Sequence, residues 1–274
     1  MSDSKKAVPN DDDHSTRQNW CGASQLHQHL LATLPGYKAS RQFVGQFHRL
    51  ASTASWPVDG VVIPVVVHVV WYTEDQNISQ AQIGSQIAVL NQDFAAINAD
   101  LTDVPSVFKP LIGKPNIRFF LAQRDPKGNP TTGVTRTHTP VVSFDHNSRH
   151  DPPDRRIHYT GQGGKDGWPS DRYLNIWVCK QGGLEPLLGY AQFPADLGNR
   201  PATDGVVIAH TVFGTTGMAR YPFNLGRTAT HEVGHWLDCK HIWGDDDTGC
   251  SGSDECDDTP NQAGFNSGRP TFHA

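Results

Sequence analysis

The strongest apolar pattern in this chain is residues 61–72, an almost continuous run of valines interrupted by Pro64 and His68. Branched residues on both alternating faces predict a strand buried on both sides. Behind it, Ser79 is a suitable N-cap, and Ile83, Ile87, Leu90, Phe94 and Ile97 recur at helical spacing. That stripe predicts a long amphipathic helix lying with one face on a sheet. Residues 116–123 and 134–138 predict two further strands, the second short, and residues 173–179 a central one. Residues 189–193 and 205–210 add two more. Upstream the signal is weak: residues 24–50 show loose helical patterning through Leu26, Leu30, Leu31, Leu34, Phe43 and Phe47. The first twenty residues are polar and predict disorder, and residues 56–60 form a turn-rich boundary. Residues 145–169, rich in Gly, Pro, Asp and His, predict a surface excursion. Its cluster Gly161, Gln162, Gly163, Gly164 lacks the strand-to-helix setting of a phosphate loop and reads as a flexible loop. Strand, long helix, strands and a final helix give an α+β or three-layer order.

The final helix carries the chemistry. His231 and His235 are four residues apart, so on a helix their imidazoles lie on one face, where two ring nitrogens reach one metal ion. Glu232 directly follows the first of them, in position to act as a general base. His241 comes too late to reach the same ion from a continuous helix. The helix must therefore stop and the chain turn back, and Asp238 is the expected turning point, since Asp tolerates the left-handed conformation better than most residues. Three protein ligands leave a fourth position open, which marks a catalytic rather than a closed structural zinc site. Ala229, Val233, Trp236 and Leu237 are the expected buried residues of this helix.

Composition changes the picture little. The hydrophobic fraction is 36% and the formal net charge −5, with a mean hydropathy of −0.50. These give no reason to expect nucleic acid or an anionic membrane as partner, and no apolar run reaches membrane-spanning length. The first thirty residues contain no apolar signal core, which fits a cytoplasmic protein, an unusual export route, or a start placed downstream of the signal. Five cysteines, Cys21, Cys179, Cys239, Cys250 and Cys256, are too few for a disulfide scaffold, and at least one must be free, metal-bound or paired outside the chain. After His241 the residues between Gly244 and Asp258 are rich in Asp and carry no Lys or Arg. Such a loop fits either a calcium site or a solvated acidic surface.

With these motifs in place, the chain resembles the metzincin metalloproteases, and more narrowly the pappalysin (cytophagalysin-like) family. The resemblance rests on IPVVVHVVW at 63–71, the helix segment at 77–94, residues 119–139, YLNIWVC at 173–179, LLGYAQFP at 187–194, the zinc motif at 223–245 and DxxxDTPxQ at 254–262. It implies an upper subdomain with a twisted mixed sheet, a long backing helix and an active-site helix, followed by a smaller lower subdomain. The expected divisions are an N-terminal prosegment at 1–58, a catalytic upper subdomain at 59–241 and a partial lower subdomain at 242–274. It implies an extracellular zinc endopeptidase acting on proteins or peptides. His231, His235 and His241 would bind zinc and Glu232 would be the base. The substrate main chain would add to the edge strand near 187–194. Cys21 would occupy the fourth zinc position in a latent precursor, released by cleavage near Arg41, Arg49 or residues 56–60. Asp254, Asp258 and Thr259 would line a calcium site, and Cys250 is similar to a cysteine paired further downstream.

One departure bears on activity. The family carries a methionine turn beneath the zinc, and no Met follows His241. The expectation is a chain that ends before that turn, binding zinc less tightly and acting weakly. The alternative function is accordingly a truncated, catalytically weak or inactive zinc- and peptide-binding domain.

Overall fold

Strand β1 (Val61–Trp71) is the spine of the sheet, because it serves two partners on one side. Its first half pairs in parallel with β2 (Ile117–Leu121), Val61 opposite Ile117. Its second half pairs in parallel with β3 (Val134–His138), Val67 opposite Val134. The handover needs Gly133, whose positive φ of 71° and close approach to the Ala122 backbone leave no room for a side chain. On the other side β1 pairs in parallel with β4 (Leu174–Cys179), and β4 with β6 (Val206–Ala209). The edge strand β5 (Gly189–Ala191) runs antiparallel to β6. The sheet is therefore mixed, as the resemblance implied. This computed structural model describes residues 21–51, 60–145, 155–183, 187–244, 250–262 and 264. Expectations for residues 1–20, for Trp56 to Asp59 and for the chain end lie outside these, as does the Arg49 side chain.

The main core lies between one face of the sheet and two helices, α3 (Gln80–Phe94) and α4 (Arg227–Trp236). Ser79 caps α3 by accepting from the Gln82 N–H at 3.1 Å. Ile83 and Leu90 are fully buried, but the predicted stripe runs three residues past the helix end. The helix ends at Phe94, Ala96 adopts a positive φ of 51°, and Ile97 is 70% exposed.

Residues 24–50 form two helices rather than one loose element. Helix α1 (Ala23–Thr33) and α2 (Tyr37–Ala51) are separated at Gly36, where φ is 84°. Leu26, Leu30 and Tyr37 pack with Ala195 into their own small core. Phe43 and Phe47, expected on the apolar face, are instead mostly exposed. The cluster at 161–164 is also not a loose loop. Gly164 lies so close to the carbonyls of Arg156 and Ile157 that a side chain would collide with them, and Lys165 N–H donates to the Ile157 carbonyl at 2.9 Å. Glycine here permits close packing rather than motion. No described helix is long and apolar enough to cross a membrane.

Candidate metal centre

Two turns decide the geometry of α4. At its start Gly226 is left-handed, with φ 71°. At its end Asp238 adopts φ 75°, with its N–H donating to the His235 carbonyl at 2.9 Å and the Cys239 N–H to the Gly234 carbonyl at 2.9 Å. This pair of bonds around a left-handed residue is the Schellman stop. It reverses the chain at the residue the sequence nominated, and His241 swings back to the helix.

Three imidazole nitrogens meet there. Nε2 of His235 lies 3.0 Å from Nε2 of His231 and 3.1 Å from Nε2 of His241, and the remaining pair are 3.2 Å apart. Sγ of Cys21 completes the group 3.5 Å from Nε2 of His235, all within 4.8 Å of one another. Nitrogen and sulfur donors placed tetrahedrally around one zinc ion sit about 3.3–3.6 Å apart. The three imidazole nitrogens, and Sγ relative to His235, therefore stand close to the spacing such an ion requires. The protonation pattern also fits. Nδ1 of His235 is 2.7 Å from the Cys239 carbonyl, so it carries the ring proton and leaves a lone pair on Nε2. Nδ1 of His241 is held at 2.9 Å by Ser24 Oγ, and its ring stacks on Trp243 with centroids 4.2 Å apart. Converging lone pairs repel unless a cation lies between them.

Glu232 is buried beside this group, and Cys21 Sγ donates to its Oε2 at 3.8 Å. Burial raises its carboxyl to about 8, and the Cys21 contact opposes this only in part. A cation on the three histidines would lower it again. Room for Glu232 depends on Gly189. A Cβ at that position would stand 2.9 Å from Glu232 Cγ and 3.0 Å from the Val207 carbonyl oxygen.

Cys21 arrives along the edge strand. It bridges Gly189 in parallel, and the Gly22 N–H donates to the Gly189 carbonyl at 3.0 Å. The N-terminal segment thus occupies the strand edge expected to receive a peptide. The fifth residue of α2, Arg41, forms an ion pair with Asp238 and its side chain is only 11% exposed. A buried, paired position in the body of a helix is a poor cleavage point, which removes Arg41 from the expected neighbourhoods.

Sequence patterning missed the groups that hold α4 in place. Gln82 and Gln86 are buried polar residues of α3 that face the loop leading to α4. Gln82 Nε2 donates to the carbonyls of His210 and Phe213 at 3.0 and 2.9 Å, and its Oε1 accepts from the Met218 N–H at 2.9 Å. Gln86 donates to the Gly226 carbonyl at 3.0 Å and accepts from the Gly214 N–H at 2.6 Å. Asp93 accepts from Arg227 and from Thr230, and Trp236 Nε1 donates to Asp204 at 3.2 Å. Of the expected buried residues of α4, Ala229 and Val233 are fully buried, whereas Trp236 and Leu237 pack on the core from its margin.

The acidic loop gathers less. Asp254 is buried and accepts from the Cys256 N–H at 3.0 Å. Among the described residues, Asp254 and Asp258 do not join a cluster of potential ligands like the one at Cys21. None of the five cysteines is in a disulfide.

Known proteins resemble the chain at this site and beyond it. A family model described as pregnancy-associated plasma protein-A matches residues 160–271. A mutant of Tannerella forsythia promirolysin superposes with a TM-score of 0.83 at 47% identity, covering 93% of this chain and 80% of that one. Tannerella forsythia mature mirolysin in complex with a cleaved peptide gives 0.73 at 53% identity, covering 79% and 77%. An extracellular metalloprotease of Verticillium alfalfae is 48% identical over 89 residues, 30% of this chain and 29% of that protein. The match thus spans less than a third of that relative's length. By the mirolysin likeness over more than two thirds of both chains, with the family model matching the segment that carries the histidine motif, this chain belongs to the pappalysin-like family of metalloproteases.

Proposed function

We propose that the chain is a zinc-dependent endopeptidase made as a latent precursor. The observation that carries this reading is the convergence of His231, His235 and His241 with Cys21 Sγ at the fourth corner and Glu232 beside it. The three histidines would hold zinc throughout, and Cys21 would hold the fourth position only in the precursor. Bound zinc supplies Lewis acidity toward the scissile carbonyl and the attacking water. The chain's own groups do the rest. The β5 edge pairs with the peptide main chain and presents the bond to be cut. Glu232 takes a proton from the attacking water and delivers it to the leaving amine. Its burial excludes bulk water from that transfer.

Latency follows from the same contacts. The segment up to β1 is a prosegment whose Cys21 and Gly22 fill the metal corner and the strand edge together. The precursor form of mirolysin, covering 93% of this chain, supports this division. Activation is cleavage between α2 and β1 followed by release of both helices. Secretion is supported by relatives described as extracellular metalloproteases. Asp254, Asp258 and Thr259 are assigned to a calcium site; a calcium-dependent rise in melting temperature should disappear in Asp258→Ala.

The deciding experiment combines zinc analysis with casein hydrolysis after limited proteolysis. Glu232→Gln should keep full zinc and lose activity by about 10²–10⁴-fold. Full activity in Glu232→Gln, or a zinc-free wild type that still cleaves casein, defeats the reading.

A further inference from the structure

Past the helix stop the chain doubles back in two limbs, residues 239–244 and 250–256. At one end the limbs touch. A Cβ on Gly244 would stand 2.3 Å from the Ser253 nitrogen and 2.5 Å from the Gly252 carbonyl carbon. Further along, Lys240 Nζ donates to Glu255 Oε1 at 2.6 Å. Moving back along one limb thus moves forward along the other, so the two run antiparallel. The next residue on each limb is a cysteine, Cys239 on one and Cys256 on the other, and both thiols are free and exposed. Their main chains are pinned. The Cys239 N–H donates to the Gly234 carbonyl at 2.9 Å, and the Cys239 carbonyl lies 2.7 Å from Nδ1 of His235. The Cys256 N–H donates to Oδ1 of buried Asp254 at 3.0 Å, and its carbonyl accepts from the Thr259 N–H at 3.2 Å. Partial burial and then the Asp254 carboxylate raise the Cys256 thiol, and Cys239 is the next contributor, so each sulfur stands within the other's field. With the main chains held on either side, side-chain rotation is what remains to bring the sulfurs to bonding distance, about 2.05 Å.

We propose that Cys239 and Cys256 are a modification site, closing into an intramolecular disulfide with a low-molecular-weight disulfide such as oxidised glutathione as the oxidant. One cysteine thiolate attacks the oxidant, forms a mixed disulfide and releases a glutathione thiolate. The second cysteine thiolate attacks the protein-bound sulfur, forms the S–S bond and expels the other glutathione. The protein gives up two electrons, the oxidant takes them, and the two thiol protons leave with the two glutathiones. The clip ties the limb that carries His241 to the limb that carries Asp254, and it restricts the unfolded chain between the two cysteines. Oxidising surroundings outside the cell are where such a bond persists, and relatives of this chain are described as extracellular metalloproteases. The proposal goes beyond the endopeptidase reading, since it needs neither zinc nor Glu232.

The test equilibrates the intact chain with oxidised glutathione, blocks the remaining thiols with N-ethylmaleimide and digests with trypsin. Cleavage after Arg227 and Lys240 puts Cys239 on fragment 228–240 and both Cys250 and Cys256 on the fragment that begins at His241. The expected product is a disulfide-linked pair of these fragments that persists in Cys250→Ser and is lost in Cys256→Ser. Oxidised wild type should also melt about 5 °C above Cys239→Ser treated in the same way, and the difference should vanish on reduction. Should Cys239→Ser fail to melt cooperatively, Cys256→Ser serves as the comparison. A link that survives in Cys256→Ser, glutathione left as separate adducts on the two cysteines, two unmodified thiols, or equal melting of the oxidised forms overturns the proposal. Zinc content and casein hydrolysis report on the peptidase reading separately.

Discussion

Ser24 Oγ lies 2.9 Å from Nδ1 of His241, so the N-terminal helix α1 supplies an outer partner of the third histidine. The N-terminal segment thereby contacts the histidine group through Ser24 as well as through Cys21. Ser24→Ala should weaken zinc retention in the intact chain by about tenfold, the usual cost of losing an outer hydrogen bond on a ligating histidine. Competition with a chromogenic chelator measures this. Unchanged affinity would mean that Trp243 stacking orients His241 unaided.

Cys21 meets both the histidine group and Glu232, 3.5 Å from His235 Nε2 and 3.8 Å from Glu232 Oε2. Cys21→Ala should raise the activity of the uncut chain by about tenfold or more, equivalent to the loss of roughly 1.4 kcal/mol of self-inhibition. The fully cleaved enzyme should not change. An uncut variant as silent as wild type would place latency in the helices instead.

Gly189 is the seat of Glu232. In Gly189→Ala the new methyl would stand 2.9 Å from Glu232 Cγ, with the Val207 carbonyl at 3.0 Å preventing retreat. The expected result is a fall in kcat of roughly 10²-fold from misplacement of the base, with zinc content unchanged. A wild-type kcat would show that the carboxylate tolerates a different path to the site.

Gln82 satisfies three backbone groups of the loop that leads to α4. Gln82→Leu would leave them buried without that partner and should cost about 2–4 kcal/mol in urea unfolding. A cost below about 1 kcal/mol would imply that water replaces the side chain.

His68 sits fully buried in β1, 2.8 Å from Thr135 Oγ1 and 3.1 Å from Asn175 Oδ1. Burial lowers its pKa from 6.5 to about 4, with Lys165 adding to the shift and the Asn175 bond opposing it. Between these values the unfolded chain binds a proton that the folded chain does not. Stability from this group is therefore full above 6.5 and lost as pH falls toward 4, by about 3 kcal/mol. His68→Gln cannot titrate, so its stability should fall less steeply than that of wild type across that window. Parallel pH profiles would show that the native state protonates His68 without penalty.

Much of the fold was legible because its strands are short, branched and separated by turn residues, and because α3 carries a regular stripe. The convergence of the three histidines was legible because their spacing is local: four residues on one helix, then a stop at Asp238 that the distance to His241 demands. What stayed hidden was set by partners distant in sequence. Gln82 and Gln86 look like solvent-facing positions until a loop more than a hundred residues away folds over them. Gly189 looks like an ordinary strand glycine until Glu232 packs against it. Phe43 and Phe47 look like core until α2 turns a different face, bearing Arg41, toward Asp238. The sequence alone determined which atoms could hold a metal, since that depends on helical pitch and donor chemistry. Only the tertiary structure decided that Cys21, Ser24 and Arg41 close over those atoms, because the docking of two helices depends on the shape of a surface assembled from several separate segments.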